Sequence, residues 1–164
     1  CGSTEAKVPD LQAGVETALT LLVTAACGIT LIHDLGTLDS CLVGSMEEAV
    51  IDDEIVGMIK HILSGPEISE DTLAIDTIKK VGPGGNFMAQ KHTLNHFREI
   101  YLPTIFTRDN LGKWLKSGKE LRSVAKETVL KILKEHRVEE LPNSVQGEIQ
   151  KIIKDYESKM INQK

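Results

Sequence analysis

The chain has 164 residues, 41% hydrophobic and 26% charged, the size and balance of one soluble globular domain. A formal net charge of -5 and a pI near 5.6 exclude a global attraction to nucleic acid or anionic membranes. The longest apolar run, residues 18–32, is broken by Thr20, Thr24 and Gly28 and is too short to cross a bilayer. No secretory signal pattern opens the chain. Cys1, Cys27 and Cys41 lack CxxC or metal-type spacing, which fits reduced, cytosolic thiols. Basic residues gather between positions 113 and 134, but Glu120 and Glu127 interrupt them, the pattern of a solvated helix face.

In chain order, residues 1–9 read as a polar loop. Asp10 is placed to cap a helix to about residue 26, apolar on most sides and so expected to be largely buried. Gly28 ends it. Residues 29–32, Ile-Thr-Leu-Ile, read as a short buried strand, the one convincing strand of the chain. Residues 33–44 form a loop carrying His33, Asp34, Asp39 and Ser40. Ser45 and Glu48 spell a capping box that opens a helix to about residue 64, stopped by Gly65-Pro66. Ser69 caps the next helix, with Leu73, Ile75, Ile78 and Val81 expected to face inward. Gly82-Pro83-Gly84-Gly85 breaks the chain, and a helix over about 91–101 ends before Pro103. From residue 109 the pattern is helical: a short helix around Trp114 meeting Gly118, a longer one over 120–136, a loop to Pro142, and a final helix over 144–159.

A lone strand leaves its backbone groups unpaired. The chain therefore reads as one βα unit of a larger barrel or open sheet, or as a chain that pairs its strand with a second copy. Its start, Cys1-Gly2-Ser3, lacks a methionine, which also reads as a piece of a longer protein.

The loop of His33, Asp34, Asp39 and Ser40 follows the strand at its carboxyl end, where parallel α/β architectures gather ligands and catalysis. His92 and His96 share one helical face at i, i+4. They lack the HExxH glutamate, and no Cys or third His stands nearby, so no metal site is expected and a helix start with surface contact is the reading. The glycine-rich turn is neither GxxxxGK[ST] nor GxGxxG, and no GxSxG elbow occurs. Trp114 reads as packing.

The segments VPDLQAGVETALTLLVTAACGITLIHDLGTLDS, EEAVIDDEIVGMIKHIL and VGPGGNFMAQKHTLNHFREIYLPTIFTRDN resemble the carboxyl-terminal part of trimethylamine methyltransferases. These are the corrinoid-dependent family of methanogenesis and methylamine metabolism that includes glycine betaine methyltransferases. The resemblance covers most of residues 3–140 and implies a TIM-type (β/α)8 barrel. The expected fold class is mainly α with one or two short strands, the carboxyl-terminal fragment of such a barrel plus a helical extension. Residues 1–108 would hold the last βα units and 109–164 the extension.

The implied reaction moves a methyl group from trimethylamine or a related quaternary amine to the Co(I) of a corrinoid carried on a separate protein, with no cofactor bound directly. By that resemblance His33 and Asp34 are the catalytic candidates, and Asp39, Ser40 and Asn86 the substrate-binding ones. Aromatics make up only 4% of the chain, so an aromatic cage for a quaternary ammonium is not expected from this part alone. Trimethylamine-specific members carry pyrrolysine, which would fall at or just before residues 3–7. None appears here, so the chain belongs to a non-pyrrolysine protein or starts beyond that residue. The isolated chain is expected to be inactive. The alternative from another class is a non-catalytic helical interaction module or a homo-oligomer, without nucleic acid or membrane as partner.

Overall fold

The computed structural model describes residues 2–161, and Cys1, one of the three thiols, lies outside them. Two compact units divide it, residues 1–131 and 132–164.

In the first unit Asp10 caps α1 (Leu11–Ala26) by accepting from the backbone of Gln12 and Ala13, satisfying amides that have no partner within the helix. Ser45 caps α2 (Met46–Ser64) by accepting from Glu48 N, and Gly65 ends it. Ser69 and Thr72 form a reciprocal capping box at α3 (Glu70–Leu73). Ala74 then turns left-handed, with φ 50°, and separates α3 from α4 (Ile75–Val81). After the glycine-rich turn come α5 (Lys91–His96) and α6 (Leu111–Ser117), the latter ended by left-handed Gly118. α7 (Leu121–Glu135) runs across the division between the units. The second unit holds α8 (Asn143–Ile161). The structure is thus mainly helical. Among the described residues no helix is long and apolar enough to cross a membrane.

The core of the first unit forms where α1 meets α2. Leu21 packs with Ile51, Ile55 and Ile59, closed by Ile105 and Ala125. The three isoleucines fall at i, i+4, i+8, one stripe of a helix. A smaller cluster joins Ala6, Ala13 and Leu38.

Three expectations are corrected. Residues 29–32 form no strand: they have no regular secondary structure and no ladder partner, and Leu31 is 83% exposed. An apolar run becomes a buried strand only if neighbouring strands and a covering layer exist. The strands lie instead inside the segment expected to be loop. β1 (Thr37–Leu38) and β2 (Val43–Gly44) pair antiparallel, with Thr37 opposite Gly44 and Leu38 opposite Val43. Burial was also overestimated. Only Ala13, Thr17 and Leu21 of α1 are buried, while Leu11, Leu19 and Val23 face out, and Leu73, Ile75 and Ile78 are exposed rather than inward. Finally, the helix expected over 91–101 stops at His96, as Phe97 donates back to Thr93.

Candidate functional site

The loop that follows residues 29–32 is held in an uncommon shape. Asp34 has φ 71°, and three consecutive residues at the hairpin turn, Asp39, Ser40 and Cys41, have φ 50°, 53° and 67°. Non-glycine residues in this region are strained by about 1 kcal/mol or more each and persist only where the surroundings impose them. Those surroundings are visible. Thr37 Oγ1 donates to Asp34 O at 2.6 Å, and Leu42 N closes the turn on Asp39 O. The amino-terminal segment is laid against the loop: Gly2 N donates to His33 O, Asp39 N to Ala6 O and Ser40 N to Thr4 O. Far from being a plain polar loop, that segment buries Thr4 and Ala6. It is tied to α1 through Glu16, which accepts from Thr4 Oγ1 at 2.5 Å and Glu5 N at 2.8 Å. Those donors hold the Glu16 carboxyl below its ordinary value, Thr4 first, then Gln12 and Glu5.

Four of the five residues singled out by sequence meet here. His33 Nδ1 lies 2.6 Å from Asp34 Oδ2, and this bond is the main reason the Asp34 carboxyl is held below its ordinary value. Asp34 is therefore ionised at neutral pH. Asp39 is engaged by Lys7 Nζ at 2.8 Å, and Ser40 Oγ donates to Glu5. The fifth, Asn86, folds on its own turn, its Oδ1 accepting from Met88 N at 2.8 Å. Among the described residues, the side chains of a type and spacing that could hold a metal ion lie elsewhere, on α3 and α5: Asp71, His92 and His96.

Sequence reading missed what lies beneath the loop. Glu48 and Asp52 are buried, at 1% and 0% exposure. Gly36 N donates to Asp52 Oδ2 at 2.7 Å, while both Glu48 oxygens and Asp52 Oδ1 have no partner of ordinary hydrogen-bond geometry. Burial, then the neighbouring Asp52 charge, pushes Glu48 up to about 7, and burial raises Asp52 as well. The Gly36 approach leaves no room for a side chain: a Cβ there would stand 2.7 Å from that of Ala49, and φ is 74°. A signal was present. Positions 48, 52, 55 and 59 share the stripe that Ile51, Ile55 and Ile59 define, so these two acids sit where an apolar residue is expected.

Residues 1–160 match the family model described as trimethylamine methyltransferase (MTTB). The chain belongs to the trimethylamine methyltransferase family. It is similar to the trimethylamine methyltransferase MttB of Methanosarcina thermophila, 38% identical over 147 residues, which covers 89% of this chain and 30% of that protein. Similarity to MttB of Methanosarcina barkeri is 39% over 150 residues, 91% of this chain and 30% of the relative. The glycine betaine methyltransferase of Desulfitobacterium hafniense strain Y51 is 40% identical over 126 residues, 76% of this chain and 26% of that protein. The chain thus spans about 30% of the length of the methyltransferases it matches.

Proposed function

We propose that this chain supplies the carboxyl-terminal part of a TIM-type barrel that transfers a methyl group from trimethylamine or a related quaternary amine to the Co(I) of a corrinoid carried by a partner protein. The observation that carries the reading is the loop of residues 33–40. Within a chain of this family, it spends backbone strain at Asp34, Asp39, Ser40 and Cys41 and holds His33 against Asp34. The unpaired run of residues 29–32, next to a cleft of about 320 Å³ lined by Leu21, Ala25, Val56 and Leu63, suits a strand awaiting barrel neighbours.

In this reading Co(I) is the nucleophile. The C–N bond breaks with its electron pair staying on nitrogen, which leaves as an amine with one methyl fewer. The chain's own residues bind and orient the donor. Asp34, kept ionised by His33, faces the cationic nitrogen, a charge-assisted contact that strengthens once water is excluded. Asp39, paired with Lys7, and Ser40, bonded to Glu5, brace the loop on which Asp34 stands, and Asn86, folded on its own turn, takes no part in this reading. Holding the N-methyl group in line with cobalt converts a two-body encounter into a positioned transfer.

A chimera tests this: the carboxyl-terminal 30% of the M. barkeri relative is replaced by this chain and assayed with methylamines, glycine betaine, corrinoid protein and reductant. The chimera is expected to transfer methyl groups, with Asp34→Asn lowering the rate about 100-fold, and the chain by itself to be inactive. A folded chimera whose Asp34→Asn variant keeps the full rate refutes the role of the loop.

A further inference from the structure

We propose that Asp71, His92 and His96 form a binding site for a divalent transition-metal ion of the zinc type. One ligand atom from each residue lies within 4.8 Å of the other two. Atoms sharing a tetrahedral zinc ion at about 2.0–2.2 Å stand about 3.4 Å apart, so the cluster needs to close by up to about 1.5 Å. Asp71 is exposed and the two histidines half-buried, so the aspartate side chain makes such a movement by rotating. His92 and His96 fall on successive turns of α5, and their ring centroids are 4.2 Å apart. Asp71 comes from α3, 21 residues before His92, which is why no third ligand was visible in the local sequence.

The surroundings of His96 point the same way. His96 Nδ1 lies 2.8 Å from Glu99 Oε1, and His96 Nε2 lies 3.1 Å from Asp71 Oδ2. Each His96 nitrogen thus faces a carboxylate, so the ring donates to both when doubly protonated, and a metal ion would take the place of the Nε2 proton between His96 and Asp71. A carboxylate that fixes the tautomer of a ligating imidazole is the usual outer partner of a metal-bound histidine. His92 Nε2 donates to the Asp71 backbone carbonyl at 2.7 Å, a bond that coordination through this nitrogen would replace.

The backbone holds the pieces in place. Ala74, left-handed, ends α3 just after Asp71. The glycine-rich turn leads from α4 toward α5, and a Cβ on Gly85 would stand 2.4 Å from Val81 O. A cavity of about 430 Å³ beside Asp71 and His92, lined also by Glu70, Asp76, Leu73 and Ile75, gives the cluster access to solvent. Two imidazoles and one carboxylate favour zinc and its transition-metal neighbours over magnesium or calcium. The ion would pin α3 to α5 across the turn.

Titration of the metal-free chain with zinc chloride against a competing chelator should show one ion per chain, undisturbed by millimolar magnesium. His92→Ala, His96→Ala and Asp71→Asn should each weaken binding at least about tenfold, and Glu99→Gln about 10- to 100-fold. His61→Ala, His136→Ala, Cys27→Ser and Cys41→Ser should leave it unchanged. Imidazole nitrogen resonances of the wild-type chain guard against variants that fail to fold: zinc should move those of His92 and His96 and not those of His61 or His136. Absence of one-to-one binding at micromolar zinc overturns the proposal, as does binding that survives the His92→Ala, His96→Ala double substitution. Methyl transfer is not part of this readout, so failure here leaves the reading of the loop standing, and the reverse.

Discussion

At its amino-terminal end α2 buries Glu48 and Asp52. Two residues past Asp52, on another side of the same helix, it buries Glu54. The first pair receives one hydrogen bond of ordinary geometry, from Gly36 N, and both carboxyls are raised. Burial also pushes Glu54 up, but Thr104, Tyr101 and Ile105 outweigh it and hold its carboxyl below the ordinary value. The donors are Tyr101 Oη at 2.6 Å, Thr104 N at 2.7 Å, Thr104 Oγ1 at 2.6 Å and Ile105 N at 2.9 Å. Burial is common to both places, so the number of donors decides the charge state. Glu54 works as an anion that fastens the 101–105 segment, whose Ile105 closes the core. Glu48 works as a carboxylic acid near neutrality, beneath the loop proposed to bind the amine.

The largest effect should come from breaking the satisfied site. Glu54→Ala removes the acceptor of four donor groups at once, leaving the Thr104 and Ile105 amides without their carboxylate. A loss of about 3 kcal/mol in urea unfolding is expected. A loss under about 1 kcal/mol would mean that water replaces the carboxylate and that the two sites do not differ as argued.

Relieving the unsatisfied site should act in the opposite direction. The folded-state carboxyl of Glu48 is raised from 4.5 to about 7. Between those values the native state binds a proton that the unfolded chain has lost, so stability falls as pH rises through that window. The Asp52 shift has the same sign. Glu48→Gln keeps the shape without the charge. It should raise stability by about 2 kcal/mol above pH 7, change little below pH 4.5, and flatten the slope between. Unfolding curves at pH 4, 6 and 8 measure it. A variant less stable than the parent at pH 8 would show that the ionised pair is held by groups not yet identified.

What was legible in the sequence followed local rules. Asp10, Ser45 and Ser69 cap the helices they were expected to cap, and Gly65 and Gly118 end theirs, because a cap needs only residues within one turn. The family was legible too, through turns and motifs spread over most of the chain. What failed depended on distant partners. Residues 29–32 have strand composition and no strand beside them, and the apolar faces of α1, α3 and α4 are exposed because pattern reports which side is apolar, not what covers it. The hairpin of β1 and β2 escaped notice because four residues carry no readable period. The loop candidates His33, Asp34, Asp39 and Ser40 lie on one loop, His33 against Asp34 and the other two tied to Lys7 and Glu5. Asp71 and Glu54 find their partners 20 to 50 residues away, a distance that spacing rules do not reach.

The smallest effect separates two roles for Glu48. The sequence S-x-x-E predicts that Ser45 and Glu48 cap α2 reciprocally, but the structure keeps half of that device. Ser45 Oγ accepts from Glu48 N at 3.1 Å, whereas Ser45 N donates to Gly36 O at 2.8 Å. The Glu48 carboxyl is thus released from capping and turned inward toward Asp52. Ser45→Ala should therefore lose about 1 kcal/mol, the usual value of one N-cap hydrogen bond, at every pH where the chain folds. Combined with Glu48→Gln, the two changes should add to within about 0.5 kcal/mol, since one acts at the helix end and the other in the buried pair. Coupling clearly larger than that would mean that the Glu48 side chain does reach back to Ser45 N in solution. The raised carboxyl would then lose its cause, and the contrast with Glu54 would shrink to a difference in exposure.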